Sequence, residues 1–430
     1  MRCLSRWICT TRSISGRVVN EFRHNLVTDD WVVFSSARRG RPRQVQPVSD
    51  RCNLTSLPSH DATCPFCLGN EHETPEATLT MNYPGTDKWR LRVVPNKFPV
   101  VTDSVVSCDP HVSRGSGGRR EGALAIGTRK HSLAGHEGEE ESSRRPGASD
   151  PGAEDSGASS KLVDGDDYDV VDSVPAMGFH EVLIETPEHN LPTALMAPPQ
   201  VEAIVQALQR RGRAMQASDA TLRHIMYFKN SGAKAGASLP HPHSQIVALP
   251  IVPVEVAQRQ RHARQWYIRY QKSIFQHTLD TTLKQRDEAR RGGGGGSHRV
   301  VLEDEHFVCF IPFAALSPYT LWIVPKGGGA HFHEAPEAEM RSFARTLHQA
   351  LRCLHFGLDQ PDFNLVIRSA ALEVGAMSVF RPEVYFRWYC TIIPRLSVGG
   401  MGGFEFSTGI QSNSSFPEDD AAFLRSLNEP

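Results

Sequence analysis

The chain repeats one order of predicted elements, and this internal repeat constrains the fold more than any other feature. Each half reads as a strand, an amphipathic helix and two further strands. The strand-like runs lie at 182–184, 225–228 and 245–249 in the first half and at 321–324, 363–367 and 389–393 in the second. Long helices between pairs of strands predict an antiparallel sheet with helices packed on one face. We therefore expect an α+β fold that is built twice.

The composition is that of a globular protein without a strong electrostatic preference. The 430 residues are 39% hydrophobic and 22% charged, enough for one large core or two ordinary ones. A net charge of −1 predicts no nucleic-acid partner and no attraction to anionic membranes. No apolar run approaches the roughly 20 residues that a membrane span needs. The nine cysteines are scattered except for one pair, which indicates reduced thiols in an intracellular protein.

Three segments interrupt the repeat. Residues 1–20 carry four arginines, several Ser and Thr and no acidic residue. This pattern is typical of a mitochondrial or plastid transit peptide and equally of a frayed basic tail on a cytoplasmic enzyme. Residues 107–167 lack apolar periodicity and predict a disordered surface insertion, and the glycine run at 292–296 predicts a flexible linker. The expected organisation is a tail at 1–20, a first half at 21–250, a connecting helix with linker at 251–298, and a second half at 299–430.

The segment from Asn230 to Gln245 carries the strongest chemical signal. Small residues in a polar loop let backbone amides approach a phosphate, and the apolar run that follows predicts a buried strand. His241 and His243 point to the same side of an extended chain, because side-chain direction repeats every two residues. The pattern is typical of a phosphate-handling site in which one histidine serves structure and the other chemistry. The alternative is a pair of histidines that only caps a strand edge.

Cys64-Pro-Phe-Cys67 has the thiolate spacing of a zinc knuckle. The sequence has no second Cys-x-x-Cys pair, so the missing ligands would be histidines or carboxylates. His189 follows a strand-like run and a proline turn, and His241 opens the next strand. We expect these four residues to hold one structural Zn²⁺, which would fix the strand that carries His243. The alternative is that the two cysteines are ordinary thiols.

Several ordered motifs occur along most of the chain. They are 23–38 with Arg41-Pro42, Cys64-x-x-Cys67, 92–98, Glu185-Thr-Pro-Glu-His189, His241-Pro-His243-Ser-Gln245, 393–396 and 402–409. Together they resemble the galactose-1-phosphate uridylyltransferase family of the histidine-triad superfamily, close to its plant-type ADP-glucose phosphorylase branch. The resemblance implies two histidine-triad-like repeats and a homodimer. The second repeat is degenerate, because Arg387-Trp-Tyr389 takes the place of the histidine pair, and a second metal site is therefore not expected.

His243 is the predicted nucleophile, because a neutral imidazole can present one lone pair to phosphorus while its other nitrogen is hydrogen-bonded. It would attack a nucleoside diphosphate sugar, UDP-glucose or ADP-glucose, and expel the sugar 1-phosphate. The UMP or AMP group would then pass to a hexose 1-phosphate or to phosphate. The Ser238 hydroxyl, the Gln245 amide and the backbone amides of Gly236, Ala237 and Ser238 would donate hydrogen bonds to the phosphoryl oxygens.

The other substrate contacts rest on the resemblance alone. It implies that the base and phosphates are flanked by Arg38, Arg41 and Pro42, that ribose or phosphate is contacted by Asn96 and Asn230, and that the sugar lies near Phe404 and Glu405.

Position 245 separates two kinds of enzyme. The hydrolase branch of the superfamily has a third histidine there, which can shuttle a proton. Glutamine neither gains nor loses a proton near neutral pH, so Gln245 favours transfer over hydrolysis. Two alternatives stay open: a histidine-triad nucleotide hydrolase, and an inactive zinc-stabilised protein that binds nucleotides.

Overall fold

A computed structural model of the chain describes residues 20–35, 54–103, 175–292, 297–372, 381–396 and 402–427. The described residues up to Asp103 and from Ala176 onward form one compact unit. Several predicted features lie outside the described residues: the N-terminal segment 1–19, most of the glycine linker, the insertion at 107–167, and Arg38, Arg41 and Pro42. The predictions made for them stay predictions.

Among the described residues, ten strands form one antiparallel sheet and three form a small separate sheet. The strands of the large sheet are β3 (Leu79–Asn82), β4 (Trp89–Pro95), β5 (Phe179–Ile184), β6 (His224–Ser231), β7 (His243–Leu249), β8 (Val300–Glu303), β9 (Phe307–Phe310), β10 (Leu321–Pro325), β11 (Phe363–Arg368) and β12 (Tyr389–Pro394). The small sheet joins the hairpin of β1 (Glu21–His24) and β2 (Trp31–Phe34) to a parallel β13 (Gln411–Asn413).

The order of the large sheet is β3-β4-β5-β7-β6-β11-β12-β10-β9-β8, which reads as two copies of one five-strand arrangement. The copies meet where β6 pairs with β11, and Phe228 lies opposite Val366 at that junction. Phe228 also pairs with Gln245, and Val366 pairs with Thr391. The two halves are therefore related by an approximate twofold axis between Phe228 and Val366. The predicted antiparallel α+β repeats are present, and their sheets are halves of one continuous sheet.

The six helices of the described residues are α1 (Pro198–Ser218), α2 (Val254–Tyr270), α3 (Ile274–Arg291), α4 (Glu337–Gly357), α5 (Gly403–Thr408) and α6 (Pro417–Ser426). Within that part of the chain, no helix is long and apolar enough to cross a membrane. Prolines at the first two positions of α1 set its start, since the first turn needs no donor there. The Ser273 side chain accepts a hydrogen bond from the Phe275 amide and caps α3.

The helices α1 and α4 pack side by side on one face of the sheet, as the repeat predicts. Their buried stripes include Val201, Val205, Phe343 and Leu351. We call the opposite face of the sheet the far face. On the second half, α2 and α3 cover the far face through Ala263, Phe275 and Leu279. Segment 254–291 thus forms two packed helices where the sequence suggests one connecting helix.

On the first half, the far face has a different cover. Phe66 and Ala77, from the segment that contains the Cys64–Cys67 motif, pack against the strand residues Trp89, Val94, Val182 and Ile184. No helix of the described residues belongs to this small cluster. The cysteine motif therefore lies against β4 and β5, and β5 is the neighbour of β7, which begins at His243. More than 100 residues separate the two motifs in sequence.

Candidate active site and metal centre

The histidine motif lies at the start of β7, after a loop shaped by two glycines. Gly232 and Gly236 have φ angles of 85° and 84°, a conformation that favours glycine. A Cβ atom at Gly232 would lie 2.1 Å from the Asp362 carboxylate, so a larger residue would clash there. The Asp362 carboxylate also accepts a 2.7 Å hydrogen bond from the Lys234 amide. The second half of the molecule thus holds the loop that precedes the histidines.

The hydrogen bonds of His243 determine which of its nitrogens is free. Its Nδ1 atom lies 2.8 Å from the His241 carbonyl oxygen, which can only accept, so Nδ1 carries the proton and Nε2 holds the lone pair. The side chain is 5% exposed, and the ring of Phe66 packs edge-on against it at 5.5 Å. Burial lowers the pKa of His243 below its ordinary value of 6.5, which keeps the ring neutral. A neutral imidazole with a free Nε2 lone pair is the form that a nucleophile requires.

Cys64, Cys67, His189 and His241 form one buried cluster, and their ligand atoms all lie within 4.8 Å of one another. The Cys67 sulfur is 3.4 Å from His189 Nδ1 and 3.7 Å from His241 Nδ1, and the Cys64 sulfur is 3.8 Å from His241 Nδ1. Metal–sulfur and metal–nitrogen bonds of ordinary tetrahedral zinc sites imply sulfur–nitrogen separations of about 3.6 Å. The donor set and its spacing therefore fit a tetrahedral metal ion.

The surroundings of the cluster also fit a metal. His241 Nε2 donates to the Thr186 carbonyl oxygen at 2.8 Å, which leaves Nδ1 unprotonated and facing the sulfurs. Burial lowers the pKa of His241 to about 4, so its ring is neutral. Burial, and to a smaller extent the neighbouring Cys67, raises the pKa of Cys64 to about 11. Thiolates at such a site need a cation to stabilise them, which a bound divalent metal would supply.

A buried ion pair lies beneath the start of β7, on the side of α1 and α4. Lys229 Nζ is 2.9 Å from a Glu185 carboxylate oxygen and 3.3 Å from the His243 carbonyl oxygen. The same carboxylate accepts hydrogen bonds from the Ser244 and Thr193 hydroxyls at 2.6 and 2.7 Å. Burial alone would raise the pKa of Glu185, but Lys229 and the hydroxyls outweigh it and hold the pKa below 4.5. The network ties the backbone of His243 to the end of β5.

A row of polar side chains runs along the far face beside His243. His180 and Gln245 lie on adjacent strands, and His180 Nε2 is 2.8 Å from Gln245 Oε1. The Val100 amide donates to His180 Nδ1 at 3.1 Å. Asn96 lies at the same edge, where its Oδ1 atom accepts from the Phe98 amide and its Nδ2 atom is 3.0 Å from His180 Nε2. Asn96 and Gln245, both predicted substrate contacts, thus both lie next to a histidine that the motifs did not single out.

Asn230 is the predicted contact that depends on the second half. Its Oδ1 atom accepts a 2.8 Å hydrogen bond from Asn364 Nδ2, and Asn364 also donates to the Ala235 carbonyl. Arg395 Nε in turn donates to Asn364 Oδ1 at 2.6 Å. A Cβ atom at Gly236 would lie 3.9 Å from Asn230 Nδ2, so this amide nitrogen faces the loop. Asn230 is therefore positioned to donate toward a group held by the loop amides.

A cavity of about 280 Å³ lies next to the same loop. Its lining includes Ala237, Ser238 and His241 together with Leu351 and Leu354 of α4. His243 and Gln245 are not part of the lining, because they face the opposite side of the sheet. The cavity therefore lies between the loop and α4, where it borders Asn230, Ala237 and Ser238 but not His243.

The structure brings some predicted residues together and separates others. The motif residues His243 and Gln245 share the far face, and Gly236, Ala237 and the exposed Ser238 form the preceding loop. Phe404 and Glu405 lie on α5, where the Glu405 carboxylate accepts from the Gly402 amide of its own helix. The described hydrogen bonds therefore do not join Glu405 to the histidine motif.

Sequence reasoning missed the supporting residues. Their roles depend on contacts between distant segments, and they are Phe66, His180, Glu185, Lys229, Ser244 and Asn364. His180 is the one whose orientation the sequence could have indicated. It lies on a strand that ends shortly before the predicted metal ligand His189, and strand periodicity predicts which face of the sheet its side chain occupies. The Asn230–Asn364 pair requires the register between the two halves, which no local pattern supplies.

Comparison with known proteins agrees with the geometry. The model of the galactose-1-phosphate uridyl transferase N-terminal domain matches residues 155–253, which contain β5 to β7 and the histidine motif. The chain is 30% identical to the ADP-glucose phosphorylase of Arabidopsis thaliana over 409 residues, covering 95% of this chain and 93% of that protein. It is 32% identical to the galactose-1-phosphate uridylyltransferase of Thermotoga maritima over 170 residues, 40% of this chain and 49% of that one.

Solved structures give the same answer for the fold. The crystal structure of the Arabidopsis ADP-glucose phosphorylase with bound ADP-glucose has a TM-score of 0.66 and 26% identity, covering 95% of this chain and 98% of that one. The structure of a uridylyltransferase has a TM-score of 0.58 and 20% identity, covering 95% of this chain and 98% of that one, and it supports the fold alone.

Proposed function

The chain belongs to the galactose-1-phosphate uridylyltransferase family, which makes it an enzyme of the nucleotidyltransferase type, and from this premise we propose a double-displacement reaction through His243. The donor is a nucleoside diphosphate sugar, and the intermediate is a nucleotidyl group bonded to His243 Nε2. The observation that carries the proposal is the 2.8 Å contact between Nδ1 and the His241 carbonyl, because it leaves Nε2 as the unprotonated nitrogen.

The reaction consists of two successive displacements at the α-phosphorus. In the first, the Nε2 lone pair forms a bond to the α-phosphorus as the bond to the bridging oxygen breaks, and the sugar 1-phosphate leaves. In the second, an oxygen of the acceptor phosphate attacks the same phosphorus and the nitrogen–phosphorus bond breaks. The leaving and attacking oxygens are both phosphate oxygens, so neither step needs a proton from position 245. Gln245 suits this chemistry because its amide donates a hydrogen bond without exchanging a proton.

The loop and the far face provide the hydrogen-bond donors. The amides of Gly236 to Ser238, the Ser238 hydroxyl, and the side-chain amides of Asn230 and Gln245 would bind phosphoryl oxygens. Preorganised donors of this kind each contribute about 3–4 kcal/mol to transition-state stabilisation in comparable oxyanion sites. The buried pair of Lys229 and Glu185 holds the backbone of His243 from below, so the nucleophile approaches phosphorus from a fixed position.

We assign zinc to the cluster of Cys64, Cys67, His189 and His241. Four protein ligands complete a tetrahedron, so the ion would be structural and would supply rigidity rather than an activated water. His241 would hold the metal through Nδ1, and its backbone carbonyl accepts the hydrogen bond from His243 Nδ1. One residue thus links the metal centre to the tautomer of the nucleophile.

ADP-glucose with inorganic phosphate is the favoured substrate pair, because similarity to an ADP-glucose phosphorylase extends over 95% of the chain. UDP-glucose with a hexose 1-phosphate is the alternative, supported by the 170-residue match to a galactose-1-phosphate uridylyltransferase. We also propose that the enzyme is a homodimer, and size-exclusion chromatography with light scattering would measure its oligomeric state. Its proposed compartment is the cytoplasm, or a mitochondrion or plastid if residues 1–20 are a transit peptide.

The test compares both donors under identical conditions. The protein is incubated with ADP-glucose or UDP-glucose, each radiolabelled at the α-phosphorus, and then with phosphate or galactose 1-phosphate. We expect ping-pong kinetics, with label moving from ADP-glucose to ADP when phosphate is the acceptor. The matched control is His262→Ala, since His262 is a histidine of α2 that lies near the Leu26 carbonyl and the Asp29 carboxylate and has no described contact with the histidine motif. Release of nucleoside monophosphate in water alone, as fast as transfer, would instead indicate a hydrolase.

A further inference from the structure

We propose that His180 is a positioning residue that sets the orientation of the Gln245 amide and so presents its NH₂ group to the phosphoryl oxygens. This inference rests on the proposed function and extends it to a residue outside the histidine motif. His180 lies on β5, is 9% exposed, and contacts Gln245 on the neighbouring strand β7. Its side chain faces the same side of the sheet as Gln245 and His243.

The hydrogen bonds of His180 define its tautomer. The Val100 backbone amide is a donor, and it lies 3.1 Å from His180 Nδ1, so this nitrogen must accept. In the neutral ring the proton is then on Nε2. His180 Nε2 is 2.8 Å from Gln245 Oε1, so the ring donates a hydrogen bond to the carbonyl end of the glutamine amide.

The second contact of Nε2 is with the Asn96 amide nitrogen, which offers Nε2–H no acceptor. Asn96 Nδ2 also lies 3.0 Å from His180 Nε2, but the Asn96 carbonyl end is already fixed, since Oδ1 accepts from the Phe98 amide at 2.9 Å. Asn96 therefore presents an NH₂ group to a ring nitrogen that carries a proton, and this approach is not a hydrogen bond. Gln245 Oε1 is the acceptor that can satisfy Nε2–H.

The hydrogen bond from His180 determines which way the oxygen and the NH₂ group of the Gln245 amide point. If its oxygen is held by His180, its NH₂ group must point away from the ring, along the far face. Without His180 Nε2–H, rotation about the last side-chain bond would place oxygen or nitrogen at that position with similar ease. A phosphoryl oxygen would then meet a carbonyl oxygen in part of the population. The effect falls on the step in which charge on the phosphoryl oxygens is redistributed.

Two substitutions separate the two hydrogen bonds of His180. In His180→Asn the shorter amide can still accept from the Val100 amide but supplies no donor at the position of Nε2. In His180→Gln the longer amide can supply that donor. We expect His180→Asn to slow nucleotidylation of the enzyme by about 10- to 100-fold, as measured by single-turnover labelling with α-labelled ADP-glucose. His180→Gln should recover to within about threefold of the unmodified protein, and KM for the donor should change little in either.

A double-substitution cycle with Gln245→Leu tests whether the two residues act together. If His180 acts through Gln245, adding His180→Asn to Gln245→Leu causes no further loss of rate. His262→Asn on α2 serves as the matched control and should label at the unmodified rate.

The outcomes distinguish this inference from the proposed function. An unmodified protein that takes up no label contradicts the proposed function and this inference with it. Normal labelling of the unmodified protein, together with equal rates for His180→Asn and His180→Gln or multiplicative losses in the cycle, contradicts the role of His180 alone. Thermal unfolding of each variant is measured in parallel, and a rate loss that tracks the loss of stability equally in both His180 variants also overturns the role.

Discussion

The two halves of the sheet share one strand arrangement, but the far face carries polar candidate site residues in the first half and a buried apolar core in the second. Gln245 and Thr391 occupy equivalent positions about the Phe228–Val366 junction, which makes Tyr389 the counterpart of His243. Tyr389 is fully buried and its ring lies 4.8 Å from Trp322 and 5.5 Å from Phe275 of α3. Helices therefore close the far face of the second half, while the cysteine motif and polar side chains occupy that of the first.

The two halves also differ in the charged side chains that they bury next to the strand of the histidine motif and its counterpart. The counterparts of Lys229 and Glu185 are Ile367 and Pro325, so the ion pair beneath His243 is replaced by apolar residues. His241 has Arg387 as its counterpart, whose guanidinium donates to the Pro325 carbonyl at 3.1 Å and to Gln276. Burying charges costs free energy that apolar residues do not incur. The half that keeps the Lys229–Glu185 pair is the one in which that pair holds a candidate nucleophile, whereas the other half buries the Arg387 guanidinium at the position of His241.

The largest effect that this comparison predicts is at positions 243 and 389. His243→Ala should reduce nucleotidyl transfer by at least about 10³-fold, because the covalent route is lost. Tyr389→Phe should leave the rate within about twofold, and its stability should not fall, since the Tyr389 hydroxyl has no hydrogen-bond partner in the described structure. Steady-state rates and thermal unfolding of both variants measure this. Equal losses of transfer rate in the two variants would contradict the assignment of the chemistry to the first half.

The cluster of Cys64, Cys67, His189 and His241 belongs to the first half, and loss of zinc from it is the next largest predicted effect. Cys67→Ser should abolish stoichiometric zinc, lower the melting temperature and reduce activity together, because the fold at His241 then loses its anchor. Elemental analysis and calorimetry measure the change. Cys353→Ala, at a buried cysteine of α4, is the control: it should lose some packing but keep its zinc. Full activity in a zinc-free Cys67→Ser protein would show that the cluster is dispensable.

Replacing Lys229 by the apolar residue of the other half tests the buried ion pair. Lys229→Ile should cost about 3–5 kcal/mol in the free energy of unfolding, because Glu185 is left buried without its partner. Adding Glu185→Leu should restore much of that stability and not the activity, if the pair serves to hold His243. Chemical denaturation and steady-state rates measure these two quantities.

The same pair has a signature in pH. The pKa of Glu185 is lowered on folding, so its contribution to stability is present above its ordinary value of 4.5 and is lost as the pH falls through the lower folded value. The double variant lacks this group and should show a weaker acid dependence of the unfolding free energy below pH 4.5. An identical acid dependence would exclude Glu185 as its source.

The smallest predicted effect concerns the hydrogen bond by which Asn364 of the second half orients the Asn230 amide. Asn364→Ala should slow transfer by about 5- to 20-fold, since Asn230 loses the donor that fixes its amide. Thr391→Val, at the counterpart of Gln245, should stay within about twofold and is the matched control. Transfer rates at saturating donor are measured for both variants. A loss of rate in Thr391→Val as large as that in Asn364→Ala would contradict the specific role given to Asn364.

The sequence predicts the elements and the motif residues well, because both depend on local patterns. Helical spacing locates α1 and α4, and a Cys-x-x-Cys pair with two suitably placed histidines predicts a cluster that the structure assembles. The single continuous sheet was not predictable, since the pairing of β6 with β11 involves residues more than 130 positions apart. For the same reason, Asn364 and the covering helices α2 and α3 could not be assigned to their faces.

The central claim is that His243 becomes covalently bonded to phosphorus, and mass spectrometry of the trapped protein tests it most directly. The enzyme is mixed with ADP-glucose in the absence of acceptor, quenched at alkaline pH, where nitrogen–phosphorus bonds survive, and digested. We predict one added AMP group on the peptide that contains His243, which disappears when phosphate is supplied before the quench. Turnover of ADP-glucose with no added mass on that peptide, or with the nucleotide on another residue, would contradict the claim.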